Sequence, residues 1–214
     1  MKKKLALSAL FFALFVALIV VVSTVDVAAI GPQGTKVGLS HLNQEAHEAL
    51  GENLMLYKIT EYIGYAAILV ALGFAALGLW QLIRRRSLAK VDRAIIALGV
   101  LYVALGLLYV LFEKFIVNYR PVIMPGETEP EASFPSSHTM LFTVILGSTA
   151  MVAGRYLKNP KTALLVRVAC VVVIIVGVMF RLGSGVHWLS DIIGGALISA
   201  ALLLAFSAAL DKAE

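Results

Sequence analysis

The sequence predicts an all-α polytopic membrane protein with six transmembrane helices in one bundle. Three observations support this: 60% of its 214 residues are hydrophobic, its mean hydropathy is +0.91, and its apolar residues form long stretches. Soluble proteins have about half of their residues apolar, and a transmembrane barrel would show short alternating segments instead. The chain is therefore interpreted as a single integral-membrane domain over residues 1–214.

Six stretches approach the roughly 20 apolar residues with which a helix crosses a bilayer. The predicted spans are residues 5–30, 62–83, 94–117, 139–154, 163–180 and 189–210. The first follows three lysines, as a secretory signal would, but its apolar core is longer than the roughly 7–15 residues of such signals, which favours a retained anchor. Cys170 is the single cysteine, which excludes an intrachain disulfide, and it lies in an apolar stretch.

The basic residues predict the orientation, because short cytoplasmic loops are enriched in Lys and Arg. With the amino terminus inside, the inner segments hold Lys2, Lys3, Lys4, Arg84, Arg85, Arg86, Lys90, Arg93, Arg155, Lys158, Lys161 and Lys212. The outer segments hold only Lys36, Lys58, Lys114, Arg120 and Arg181. Both termini are therefore predicted to be cytoplasmic, and the net charge of +5 reports topology rather than nucleic-acid binding.

Two outer segments are not predicted spans. Residues 31–57 contain a helical pattern, which indicates either an interfacial helix that helps to shape a lipid entrance or an ordered surface loop. Residues 120–137 contain four prolines, so no regular helix is expected there. The acidic residues of that segment are interpreted as solvated, with selection of a substrate head group as the alternative. They are Glu127, Glu129 and Glu131.

Three polar strings lie near the outer ends of predicted helices, where charge is costly and usually functional. They are KFIVNYRP at residues 114–121, PSSH at 135–138 and RLGSGVHWLSD at 181–191. The predicted topology brings all three to one depth, at the outer boundary between water and lipid. Together they indicate a phosphate site with a histidine nucleophile.

The third string offers a nucleophile and its orienting group. His187 and Asp191 are four residues apart at a helix start, so both lie on one face. The carboxylate can accept the Nδ1–H of the imidazole, which leaves Nε2 free to attack. Taken alone, the pair could equally be an interfacial cap. Arg181, six residues earlier, adds a guanidinium that can bind two phosphate oxygens at once.

The other two strings supply further charge and donors. Arg120 adds a second guanidinium, and Lys114 adds a compact positive charge. Pro135 and Ser136 favour a helix start, whose exposed N–H groups attract anions. The serine hydroxyls can donate to phosphoryl oxygens, and His138 can act as a general acid.

The strings resemble the signature of the type 2 phosphatidic acid phosphatase family, which also contains the vanadium haloperoxidases. That signature is a lysine followed by Arg-Pro, then Pro-Ser-Gly-His, then Arg-x5-His-x3-Asp, and the resemblance covers about residues 113–195. It implies a phosphohydrolase that needs no metal or cofactor. His187 would form a phosphohistidine, Asp191 would orient it, and His138 would protonate the leaving oxygen. The residues implied to bind the phosphoryl oxygens are Lys114, Arg120, Ser136, Ser137 and Arg181.

Three positions depart from the family pattern. Glu113 stands where the lysine is expected, and Lys114 comes one position late, a rotation of about 100° on a helix. Ser137 replaces the usual glycine, and Phe180 stands where a serine often precedes the arginine.

The favoured hypothesis is metal-independent hydrolysis of a lipid phosphate or pyrophosphate in the outer leaflet of a bacterial plasma membrane. Undecaprenyl pyrophosphate is the first candidate substrate, followed by phosphatidylglycerol phosphate and phosphatidic acid. The alternatives are a lipid phosphotransferase that uses the same phosphohistidine and a non-catalytic protein that binds or transports lipid phosphates. The sequence leaves the lipid tail and the oligomeric state open.

Overall fold

The structure, a computed structural model, describes residues 1–212, and within them every long element is helical. The helices are α1 (Lys2–Thr24), α2 (Ser40–Leu50), α3 (Leu54–Arg85), α4 (Arg93–Lys114), α5 (Ser137–Tyr156), α6 (Pro160–Gly183) and α7 (Leu189–Asp211). Within residues 1–212, six helices, all but α2, are long and apolar enough to cross a membrane. The predicted all-α fold with six spans is therefore confirmed.

Two helix ends differ most from the sequence-based prediction, and both have local reasons. The first helix ends at Thr24 because Val25 is extended and Asp26 has a φ of 50°, so the apolar residues that follow leave the helix. The second span, α3, begins well before residue 62, at Leu54, because the side chain of Asn53 accepts hydrogen bonds from the N–H groups of Met55 and Leu56. This earlier start adds a polar turn to α3.

The helices α5 and α7 form the centre of the bundle. Helix α7 packs against α1 and α5, while α5 also packs against α3 and α6. The two ends of the described chain meet at one end of the bundle, since the amino group of Met1 and the Nζ of Lys4 lie 3.2 Å and 2.7 Å from the carboxylate of Asp211. We call the other end of the bundle, where α1, α4 and α6 finish and α3, α5 and α7 begin, the site end.

At the site end, α2 supports the loop that joins α6 to α7. The buried side chain of Asn43 donates to the hydroxyl of Ser190 at 3.0 Å and accepts the backbone N–H of Ser190 at 3.1 Å. The N–H of Asn53 donates to the carbonyl of Ser184 at 3.0 Å. The segment between α1 and α3, whose role the sequence left open, thus holds the start of α7 and the loop before it.

The segment between α4 and α5 has no helix, as its prolines predicted. It is folded back on itself by an antiparallel bridge between Tyr119 and Ala132, in which the N–H of Arg120 donates to the carbonyl of Glu131 at 2.9 Å. This arrangement fixes the backbone that carries Arg120.

Gly185 is the tightest backbone contact in the loop between α6 and α7. Its φ is +70°, and a Cβ at this position would lie 2.3 Å from the carbonyl oxygen of Gly51. Only glycine combines that conformation with so close an approach.

We predict that Gly185→Ala lowers the midpoint of thermal unfolding in detergent, because the backbone conformation alone costs about 1–2 kcal/mol for a residue with a Cβ. Unfolding can be followed by the reaction of the buried thiol of Cys170 with a fluorescent maleimide. Gly73→Ala is the matched control, since a Cβ there meets nothing within 4 Å. Equal midpoints for the two variants would contradict the assigned role of Gly185.

Candidate active site

The three polar strings converge at the site end of the bundle. Arg181 comes from the last turn of α6, His138 from the first turn of α5, and Asp191 from the first turn of α7. His187 lies in the loop before α7, and Arg120 lies in the folded segment before α5. Each side chain is therefore fixed close to a helix end, where the chain leaves the apolar part of the bundle.

Arg181 is the centre of the cluster and is fully buried. Its Nη2 lies 3.1 Å from Nδ1 of His138 and 3.2 Å from Nε2 of His187. Its Nη1 donates to the hydroxyl of Thr60 at 3.0 Å and faces Oε1 of Glu61 at 3.4 Å. One guanidinium thus contacts both signature histidines.

The predicted pair of His187 and Asp191 is present, with the two groups facing each other. Nδ1 of His187 lies 3.5 Å from Oδ2 of Asp191, which is longer than a hydrogen bond. The same oxygen accepts the backbone N–H of Trp188 at 2.9 Å. Asp191 therefore caps α7 with the same oxygen that faces the imidazole.

The surroundings of His187 favour the neutral imidazole. Burial lowers the pKa of His187 well below its ordinary value, and the positive charges of Arg181 and Arg120 lower that pKa further. A neutral ring has a lone pair on one nitrogen, as a nucleophile requires.

His138 contacts the same Nη2 of Arg181 that His187 contacts. Its Nε2 is 2.9 Å from Oε1 of Glu61, which belongs to α3. Its Nδ1 faces Arg181. The ring is therefore held from both nitrogen atoms, by a carboxylate on one side and a guanidinium on the other.

Arg120 adds a second guanidinium group to the site. Its Nε lies 3.0 Å from Oε2 of Glu131, which corrects the interpretation of Glu131 as merely solvated. Its Nη1 is buried with no hydrogen-bond partner among residues 1–212, and the same holds for Nε of Arg181. Buried donors of this kind usually have a partner, and an anion held between the two guanidinium groups would supply it.

The two serines have different positions. Ser136 is buried and caps α5, where its oxygen accepts the hydroxyl of Thr139 at 3.0 Å and the N–H of Thr139 at 3.4 Å. Ser137 lines a narrow cleft whose wall also includes Glu113 and His187. Two of the three departures from the family pattern, Glu113 and Ser137, therefore face the same space as His187.

Lys114 differs from the other predicted phosphate ligands. It ends α4 with an exposed side chain and makes no hydrogen bond or ion pair within residues 1–212 to the clustered side chains. The structure brings Arg120, His138, Arg181, His187 and Asp191 together and leaves Lys114 apart from them.

Sequence reasoning missed the contribution of α3. Thr60 and Glu61 contact Arg181, and the ring of Tyr57 lies 5.0 Å below its guanidinium. These residues precede position 62, where the second span was predicted to begin. Their spacing of three and four residues places them on one helical face, which was the available signal.

Comparison with solved structures identifies a similar fold. The fold is similar to the crystal structure of a transmembrane PAP2-type phosphatidylglycerolphosphate phosphatase from Bacillus subtilis, with a TM-score of 0.65, 17% sequence identity and coverage of 96% of each chain. No curated protein matches the sequence.

The sequence also matches a family model. The match covers residues 94–214, which is more than half of the chain and includes all three polar strings, and the family is described as the PAP2 superfamily. This protein therefore belongs to the PAP2 superfamily.

Proposed function

We propose that this protein is a membrane lipid phosphatase that acts through a phosphohistidine formed on His187. The observation that carries the proposal is the position of the Arg181 guanidinium, which lies within 3.2 Å of one nitrogen of each signature histidine. A phosphoryl group held by that guanidinium would have a nucleophile on one side and a proton donor on the other.

In the first step, the lone pair on Nε2 of His187 attacks phosphorus and forms the P–N bond. The bond from phosphorus to the lipid oxygen breaks, and His138 gives a proton to that oxygen. Asp191 stabilises the positive charge that His187 gains, while Arg120 and Arg181 stabilise the charge on the phosphoryl oxygens.

In the second step, water attacks the phosphohistidine. The neutral ring of His138 takes a proton from the water as the new P–O bond forms and the P–N bond breaks. Inorganic phosphate is released, and both histidines return to their initial states. No metal ion takes part in either step.

The proposed substrate is a lipid phosphate or pyrophosphate whose tail remains in the membrane. Undecaprenyl pyrophosphate, phosphatidylglycerol phosphate and phosphatidic acid are the candidates, and the second is the substrate named for the B. subtilis structure. The concentration of lysine and arginine at the end opposite the site supports cytoplasmic termini and an outward-facing site. The membrane proposed for the protein is a bacterial plasma membrane.

Two other functions would each give a different result in an assay of phosphate release. A phosphotransferase would pass the phosphoryl group to an acceptor alcohol and yield a new phospholipid instead of free phosphate. A non-catalytic binding protein is favoured by the cleft position of Glu113 and Ser137, and it would bind lipid phosphate without turnover.

We predict that His187→Ala lowers the release of phosphate by at least about 1000-fold, because the variant lacks the attacking nitrogen. The assay uses purified protein in detergent, a panel of the three lipids and a chelator in place of added metal. The control is His41→Ala, a change of the same type at an exposed residue of α2. Equal turnover by His187→Ala and the native protein would overturn the phosphohistidine mechanism.

The lowered pKa of His187 predicts a particular pH dependence. Because the ring stays neutral as the pH falls through about 6.5, the ordinary histidine pKa, the nucleophile remains available below that pH. The acid limb of the kcat/KM profile is therefore expected to lie below about 6.5. The titration of the substrate phosphate, measured by ³¹P NMR in the same micelles, is the reference. An acid limb at or above that pH, apart from the substrate titration, would contradict the assignment.

The two basic residues of the first string are predicted to differ in importance. Arg120→Ala should lower kcat/KM by about 100-fold or more, because Arg120 presents a buried, unpartnered donor. Lys114→Ala should lower it by less than about 3-fold, because an exposed, screened charge contributes little. Equal losses in the two variants, measured on the same lipid, would contradict this difference and indicate that Lys114 also binds the phosphate.

A further inference from the structure

Glu61 is a carboxylate in the site that lies outside all three strings and outside the family match over residues 94–214. Its Oε1 is 2.9 Å from Nε2 of His138 and 3.4 Å from Nη1 of Arg181. Its side chain is 21% exposed, so it is sheltered without being sealed from water. Within the described residues, Glu61 is the acidic side chain in contact with His138.

The contacts of His138 define which nitrogen carries the proton. A guanidinium can only donate, so the Nδ1 that faces Arg181 at 3.1 Å presents its lone pair. In the neutral ring the hydrogen is then on Nε2, which donates to Glu61. Glu61 therefore selects the tautomer and directs Nδ1 toward Nη2 of Arg181, which Nε2 of His187 also faces.

We propose that Glu61 is the positioning residue of the general acid, holding the His138 ring and stabilising its imidazolium form so that Nδ1 can give a proton to the leaving lipid oxygen. This inference rests on the proposed function. It gives each histidine its own carboxylate, Asp191 for His187 and Glu61 for His138.

The proton balance explains why a carboxylate is needed. To donate from Nδ1 while Nε2 keeps its hydrogen, His138 must first bind a second proton from water. Burial of the ring opposes this positive charge most, and the charges of Arg181, in contact, and Arg120, farther away, oppose it further. The other ionisable neighbours, Tyr57 beside Glu61 and His187 beyond Arg181, carry no negative charge near neutral pH. Glu61 supplies the opposing charge, and after the transfer the neutral ring still donates from Nε2 to Glu61.

A competing role for Glu61 follows from its contact with Arg181. The carboxylate could act only as an internal anion that competes with phosphate for the guanidinium. In that case its removal would tighten phosphate binding and leave the proton transfer unchanged. The two roles therefore predict opposite changes in kinetics.

The experiment compares two substrates that differ in their need for an acid. A lipid phosphate has an alkoxide leaving group that needs a proton, whereas p-nitrophenyl phosphate has a weakly basic leaving group that departs without one. The first phosphoryl transfer is isolated in kcat/KM, which does not include the later attack of water. Glu61→Gln should lower kcat/KM on the lipid by about 10- to 100-fold, within the range that general acids contribute, and on the aryl phosphate by less than about 3-fold. The alkaline limb of the kcat/KM profile on the lipid should move to lower pH.

Three further variants sharpen the test. Glu61→Gln should add little to the loss caused by His138→Ala, because both remove the same proton transfer. Glu61→Asp, which keeps the charge, should recover part of the lipid activity and serves if Glu61→Gln is unstable. The control is Glu45→Gln, which removes an equal charge from the exposed face of α2.

Equal losses on both substrates, an additive double variant, or an unchanged kcat with tighter inhibition by orthovanadate would each overturn the inference. If the native protein releases phosphate, His187→Ala does not, and Glu61→Gln behaves like Glu45→Gln, the inference fails and the proposed function stands. If the native protein releases no phosphate from any lipid, both fall.

Discussion

The burial of the Arg181 guanidinium is the constraint on which the site depends. A charged group removed from water costs several kcal/mol unless its surroundings compensate. Here the compensation comes from the hydroxyl of Thr60, the carboxylate of Glu61, the ring of Tyr57 and two imidazoles. These groups belong to α3, α5 and the loop before α7, so a single cation ties three separate parts of the chain to α6. Loss of any one element would leave a buried charge with too few partners.

The same constraint explains why so much of the chain outside the family match contributes to the site. Residues 94–214 supply both histidines, Asp191 and both arginines. The earlier residues supply the counter-charge to Arg181 through α3 and the support for the loop before α7 through Asn43 and Asn53. Position matters here because the proposed attack requires the phosphorus and Nε2 of His187 to be held about 3–3.5 Å apart. The segment before α4 therefore contributes in two ways: it supports the loop before α7, and it places a negative charge next to Arg181.

The number of spans and the convergence of the strings could be predicted because both follow from local properties, hydropathy and the alternation of helix direction. The role of α3 could not, because a hydropathy window rejects the polar turn at Tyr57, Thr60 and Glu61 and draws the span from residue 62 onward. The pairing of Glu131 with Arg120 was missed for a different reason: it depends on a chain reversal between Tyr119 and Ala132 that has no periodic signal. Which of Glu113 and Lys114 faces the site depends on the rotation of α4. The spacing indicated that Lys114 is turned away from the expected position, and in the structure Lys114 lies apart from the clustered side chains.

The two histidine–carboxylate pairs use the same residue types in different environments, and this difference matches the roles proposed for them. A nucleophile must be neutral, whereas an acid must carry its second proton. His187 is almost completely buried, and its carboxylate partner lies 3.5 Å away and is shared with a backbone N–H. His138 is 21% exposed, and its carboxylate partner lies at 2.9 Å. Burial penalises the charged form of both rings, but the penalty is smaller for the partly exposed His138, and its closer carboxylate offsets part of it. Arg181 contacts both rings, so the difference in burial and in carboxylate distance is what separates the proposed nucleophile from the proposed acid.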